Sequence, residues 1–396
     1  MRCALSLISL LATTTAFAQL SRQTQSSNTT ENLRGVSAVS QQVAWASGTH
    51  GTYLRTTDGG RTWISAQVPD ATDLDFRGIV AFSAAEAFLM SAGPGDQSRI
   101  YHTSDGGQHW QLQFTASSPK SFFDSIAFWD PTHGIVLGDP IPDDSGQLKF
   151  QLLMTTNGQS WTPIAPSQLP PALEGEGAFA ASNTCIAVLP FDKAGAPDAG
   201  KNGKGMSYTR AVSAPEKDGA SGPEMENPNI WFATGGRVAR VFHSSDRGVT
   251  WQVFNTPIAH GPDSAGIFSI AFRDVNHGVI VGGDYKHPAQ DGPNLAFTND
   301  GGKTWTLSQV FPQSYYSAVA YDRQSVTHAN INLDDNQAHL RLFIAGSKFV
   351  YDFRPPANPT RISPPKKSGI QFNALAPYPA GGALAVGPKG SVATLP

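Results

Sequence analysis

Two apolar runs end in a carboxylate at matching places. Asp139 closes Gly-Ile-Val-Leu-Gly-Asp139, and Asp284 closes Gly-Val-Ile-Val-Gly-Gly-Asp284. Glu176 lies between them in the chain. A pair of carboxyl groups ~5–5.5 Å apart, or ~6.5–9.5 Å apart, can hydrolyse a glycoside with retention or inversion. Asp139, Asp284 and Glu176 are therefore the candidates for catalysis, and none is assigned outright. A second constellation favours binding. Arg34 and Arg77 stand in equivalent settings, each followed by Gly and a β-branched residue. A guanidinium presents a planar fork of donors, so two of them could jointly hold a carboxylate or phosphate. Tyr285, Tyr315 and Tyr316 offer faces for a sugar or an apolar anchor.

Other chemistries lack their signatures. No His-Glu-x-x-His or paired Cys/His spacing points to zinc, and no Gly-x-Ser-x-Gly elbow points to acyl transfer. No strand–loop–helix cradles a phosphate, so neither metal nor cofactor is expected. The formal net charge is −3 and charged residues are only 15%, without a basic run, which argues against nucleic acid.

The leader sets the compartment. Met1-Arg2, an apolar run to Phe17, and Ala16-Phe17-Ala18 read as a secretory signal peptide cleaved after Ala18. The expected product, residues 19–396, is a single periplasmic or secreted domain and a monomer, with no later membrane span. Cys185 is then the only thiol, placed in an apolar run that reads as core.

The element that must position these residues is a repeat. Thr56-Thr-Asp58-Gly-Gly60-Arg-Thr-Trp63 returns at Thr103–Trp110, Ser244–Trp251 and Thr298–Trp305. A degenerate copy, Met154–Trp161, is read as having lost its Asp to Thr156. Asp closes the turn on backbone N–H groups, Gly takes a positive φ, and Trp opens the next strand. Four short strands per repeat unit describe a propeller blade. The expected fold is all-β: a seven-bladed β-propeller of four-stranded antiparallel blades with Asp-box turns. The last blade supplies three strands, and the mature N-terminus is expected to add the fourth. Residues 192–228, rich in Gly, Pro, Ala, Lys and Ser, are expected to form a loop inserted in blade four.

These boxes resemble the Asp-box (bacterial neuraminidase repeat) superfamily. With Leu33-Arg-Gly-Val-Ser-Ala-Val39, Val43-Ala-Trp-Ala-Ser-Gly48 and Asp274-Val-Asn-His-Gly278, the chain is most similar to the photosystem II stability/assembly factor family. That resemblance implies an exported, non-enzymatic binding protein. A glucanase-like glycoside hydrolase is the alternative; sialidase is less favoured, because no Arg-Ile-Pro motif occurs.

Aligning the blades places one residue of each before its innermost strand: Arg34, Arg77, Phe123, Glu176, Ile267, Tyr316 and Phe372. Arg237 and Asp284 follow second strands on the same rim. The expected contacts for a protein or glycan are Arg34, Arg77, Glu176, Arg237, Asp284 and Tyr316, on the rim opposite the Asp-boxes.

Overall fold

A computed structural model of the chain describes residues 23–189, 227–308, 314–323, 341–346, 350–353, 366–367 and 371–395. The expected leader and nearly all of the expected 192–228 loop lie outside them. Among the described residues no helix is long and apolar enough to cross a membrane.

The described strands form antiparallel sheets arranged as a β-propeller. The first blade is Leu33–Ala38, Ala44–Gly48, Thr52–Thr56 and Ile64–Gln67, hydrogen-bonded in that order. The second begins at Asp75–Ala81 and the third at Phe123–Asp130. The fourth has Ile186–Val188 innermost, joined to Ile230–Ala233. One expectation is corrected: among the described residues the structure has six four-stranded blades, not seven. The remaining sheet is six-stranded. Its ladder Ala265–Phe272, Gly278–Asp284, Leu295–Thr298 and Thr306–Leu307 carries two extra strands, Gly235–Gly236 and Glu176–Gly177, on its inner edge. Glycine permits this addition. A Cβ on Gly266, where φ is +153°, would lie 2.3 Å from the Cα of Gly235.

The chain closes on itself without a covalent link. Gln23–Gln25 pairs antiparallel with Val392–Thr394, becoming the outer strand of the last sheet. Cores form between neighbouring sheets. Trp45, Tyr53, Phe76 and Leu89 share one cluster, and Trp231, Val241, Ile270 and Ile280 share another. Cys185 is buried in such a core.

The repeated Thr/Ser-x-Asp-x-Gly turns hold shape and stitch neighbours together. Thr56 Oγ1 accepts the Gly60 N–H at 2.9 Å, and Asp58 Oδ1 accepts the Thr62 N–H at 2.9 Å. The Thr62 bonds hold the Asp58 carboxyl down to about 2. From the first blade, Tyr53 donates to the Gly107 carbonyl of the second box at 2.7 Å. Trp231 Nε1 likewise reaches the Gly301 carbonyl at 2.8 Å. The degenerate copy is corrected by one residue. Thr155 takes the first position, and Asn157 Oδ1 accepts the Gln159 and Ser160 N–H groups, filling the role of the Asp expected to be lost.

Candidate functional site: a charged cavity at the mouth of the ring

Each of five innermost strands contains one irregularity at the same place. The register with the second strand skips a residue between Leu33 and Gly35, Phe76 and Gly78, Phe123 and Ser125, Ile267 and Ser269, and Tyr316 and Ala318. A bulge leaves its extra residue out of the ladder and re-aims the side chain. The skipped residues are Arg34, Arg77, Asp124, Phe268 and Ser317. All five, with Asn373 just ahead of the last inner strand, line one cavity of about 750 Å³.

Of the aligned residues, Arg34 and Arg77 line the cavity, whereas Phe123, Ile267, Tyr316 and Phe372 each stand one place before a lining residue, and Glu176 lies away from it. Phe123, Ile267 and Tyr316 are each buried in the interblade core, and Phe372, equally buried, reaches the cavity lining beside Asn373. The bulged position instead holds Asp124, Phe268 and Ser317, and Asn373 lies just ahead of the last inner strand. A signal is present: the skipped residue precedes a small residue and then an aliphatic one, as in Arg34-Gly-Val36, Asp124-Ser-Ile126, Phe268-Ser-Ile270 and Ser317-Ala-Val319. A slip of one residue exchanges the two faces of a strand.

The other expected contacts scatter. Tyr316 is fully buried, whereas Tyr315 lines the cavity. Glu176 has no exposed side chain and pairs with Arg240, while accepting from Thr234 and the Leu173 N–H. Its position on the added inner strand, not on the innermost strand of blade four, explains the misplacement. Arg237 is exposed, its stem lying over Gly175. Asp284 caps a turn, accepting the Lys286 N–H at 2.9 Å and pairing with His287 at 2.8 Å. Burial opposes its charge, but the His287, Ser264 and Lys286 hydrogen bonds outweigh that and hold its carboxyl low. Of the three acids expected to be candidates for catalysis, Asp139 alone lines the cavity.

The inner wall of the cavity is a segment running across the inner strands. Arg77 Nη1 donates to the Ala180 carbonyl at 3.2 Å, and Ser182 donates to the Ser317 carbonyl at 2.7 Å. Asn183, at φ +64°, accepts the Ile126 N–H at 2.8 Å, and Thr184 bonds Ser269 at 2.7 Å. Small polar side chains thus tie residues 180–184 to several sheets. Ala178, Phe179, Ala180 and Ala181 face the cavity. Phe179 stacks on Phe268 at 4.0 Å, and Tyr315 meets Phe268 edge-on at 4.8 Å, giving an apolar wall.

The charges are arranged across this space. Arg77 is held by Asp75 at 2.7 Å, and its guanidinium lies 6.0 Å from the Phe122 ring centre. Burial, and then the Arg77 charge, penalise the charge on Arg34, whose buried Nε has no hydrogen-bond partner. Two guanidiniums facing one space, Arg77 already paired with Asp75, are an arrangement that an anion would satisfy chiefly at Arg34. Asp124 is 1% exposed. Burial, then the Asp139 charge, push its carboxyl well above the ordinary value. Burial also pushes Asp139 up to about 6, against a hydrogen bond from the Ala178 N–H at 2.9 Å. Strand register places the box Thr56–Trp63 at the far end of its strands from Arg34, because Leu33 pairs Gly48 while Thr56 pairs Ala44.

Comparison with known proteins agrees with this architecture. Residues 12–115 match the family described as photosynthesis system II assembly factor YCF48. A photosystem II stability/assembly factor, HCF136 of rice (Oryza sativa subsp. japonica), is 36% identical over 67 residues, which span 16% of this chain and 15% of the rice protein. Among solved structures, YCF48 bound to D1 peptide superposes with a TM-score of 0.56 at 14% identity, covering 96% of this chain and 98% of that one. U3-55K gives 0.58 at 9% identity, covering 95% and 98%. At these identities the structural likenesses establish the propeller fold alone.

Proposed function

We propose that this photosystem II assembly factor-like β-propeller is an exported, non-enzymatic platform that seats a carboxylate-bearing segment of a partner protein in its central cavity. The observation that carries the reading is the convergence of Arg34 and Arg77, re-aimed by equivalent bulges on adjacent blades into one space. Arg34 Nε, buried and unpartnered, is the donor that such an anion would satisfy. Phe179, Phe268 and Tyr315 offer an apolar wall for the neighbouring side chain of the segment. A similar structure has a peptide bound, which favours a protein over a glycan as the partner here. In this reading residues 1–18 direct export and residues 19–396 act as a monomeric unit.

The test uses purified residues 19–396 and a fluorescent, N-acetylated hexapeptide library with either a free C-terminal carboxyl or an amide. Retention of the acid pool over the amide pool, lost in Arg34→Gln/Arg77→Gln, supports the reading. Equal retention of the two pools, or retention unchanged in the double variant, overturns it.

A further inference from the structure

The arginines account for one side of the cavity; another part of its lining is acidic and unsatisfied. Asp124 is 1% exposed, lines the cavity, and has no hydrogen-bond partner at either carboxyl oxygen. A buried carboxyl without a partner is costly, and folded proteins rarely keep one without use. The bulge between Phe123 and Ser125 aims it inward at the ring position that Arg34 and Arg77 occupy in their own blades. Asp139 lies close enough for its charge to disfavour ionisation of Asp124. Its Oδ1 is committed to the Ala178 N–H. Arg77 does not serve as the missing hydrogen-bond partner, since its bonds go to Asp75 and to the Ala180 carbonyl.

We propose that Asp124 and Asp139 form a cation subsite that takes the ammonium or guanidinium of a lysine or arginine in the bound segment. The inference rests on the peptide-binding reading above and adds the side-chain chemistry of the occupant. A metal ion is a poorer fit, because no group of three His, Cys, Asp or Glu side chains gathers among the described residues. An organic cation brings three to five N–H donors on a flexible stem, enough for both Asp124 oxygens and Asp139 together. The stem would lie along the apolar wall, as long basic side chains do. An occupant with a carboxylate for Arg34 and a basic side chain for Asp124 meets both unsatisfied groups within one cavity of about 750 Å³.

The experiment sequences the free-acid peptides retained by the wild type, Asp124→Asn, Asp139→Asn and Arg34→Gln/Arg77→Gln, each checked for a cooperative unfolding transition. The N-acetyl group removes the terminal amine as a competing cation. The expected result is enrichment of Lys and Arg by about tenfold on the wild type, the effect of one charge-assisted pair. That enrichment disappears in both aspartate variants, which still retain free-acid peptides. Retention by the carboxyl with no basic preference, or a basic preference unchanged by both substitutions, overturns the cation subsite and leaves the peptide reading intact. Enrichment of acidic peptides would also overturn it, because Asp124 would then act as a protonated donor. Loss of all carboxyl-dependent retention on the wild type overturns both.

Discussion

Replacing Asp139 with asparagine should stabilise the empty protein at neutral pH. Burial raises this carboxyl from 3.8 in the unfolded chain to about 6 in the fold. A raised acid favours the folded state when protonated. Its contribution is fully present below about pH 4 and is lost as pH rises through 6. A tenfold change in proton affinity is worth about 1.4 kcal/mol, so ionised Asp139 costs up to about 3 kcal/mol at pH 7 and above. Asparagine keeps an acceptor for the Ala178 N–H and carries no charge. The assay is urea unfolding of wild type and Asp139→Asn at pH 4, 5, 6 and 7.5, followed by tryptophan fluorescence. The stability difference should be near zero at pH 4 and climb to its plateau by pH 7. Asp284→Asn is the control of opposite sign, because the Asp284 carboxyl is held low by His287, Ser264 and the Lys286 N–H. A wild type at least as stable as Asp139→Asn at pH 7.5, or a difference that does not change with pH, would refute the assignment of burial as the cause.

Arg240→Ala should cost about 3–5 kcal/mol, because it strands the fully buried Glu176 carboxylate; chemical denaturation reads this directly. In the degenerate box, Asn157→Ala should lower stability by about 1 kcal/mol while Thr156→Ala should be nearly silent, which tests the corrected register by thermal melts of the two variants. Gly266→Ala should be among the most damaging single changes, detectable as loss of soluble protein, since its Cβ would meet the Gly235 backbone at 2.3 Å.

The propeller is legible because its boxes combine three uncommon requirements at fixed spacing: a hydroxyl or carboxyl acceptor, a positive φ, and a tryptophan. Thr56, Asp58, Gly60 and Trp63 each meet one of them. Arg34 and Arg77 are legible for a related reason, as each precedes a glycine that marks the bulge. Where Ser125, Ser269 and Ala318 replace that glycine the mark is faint, and the pattern points to the large apolar residue one place earlier. That residue is core in every case, as Tyr316 shows. Asp124 escapes notice through this slip. Glu176 is misplaced because Glu176–Gly177 joins the edge of the following sheet, a pairing set by close approach of Gly235 and Gly266 and not by any local pattern. The six-stranded sheet is beyond reach for the same reason. The segment at residues 180–184 is illegible because its Ser, Asn and Thr side chains read as ordinary loop, and only tertiary hydrogen bonds give them their role.

Whether Arg34 itself holds the terminal carboxylate of a bound peptide decides the functional reading, and a double-mutant cycle isolates that contact. One free-acid peptide recovered from the library and its C-terminal amide are titrated by anisotropy against wild type and Arg34→Gln. The acid should outbind the amide by about tenfold on the wild type, and this preference should collapse on Arg34→Gln, the signature of a direct charge-assisted pair. An acid-to-amide ratio that is the same on both proteins would mean that Arg34 does not hold the carboxylate.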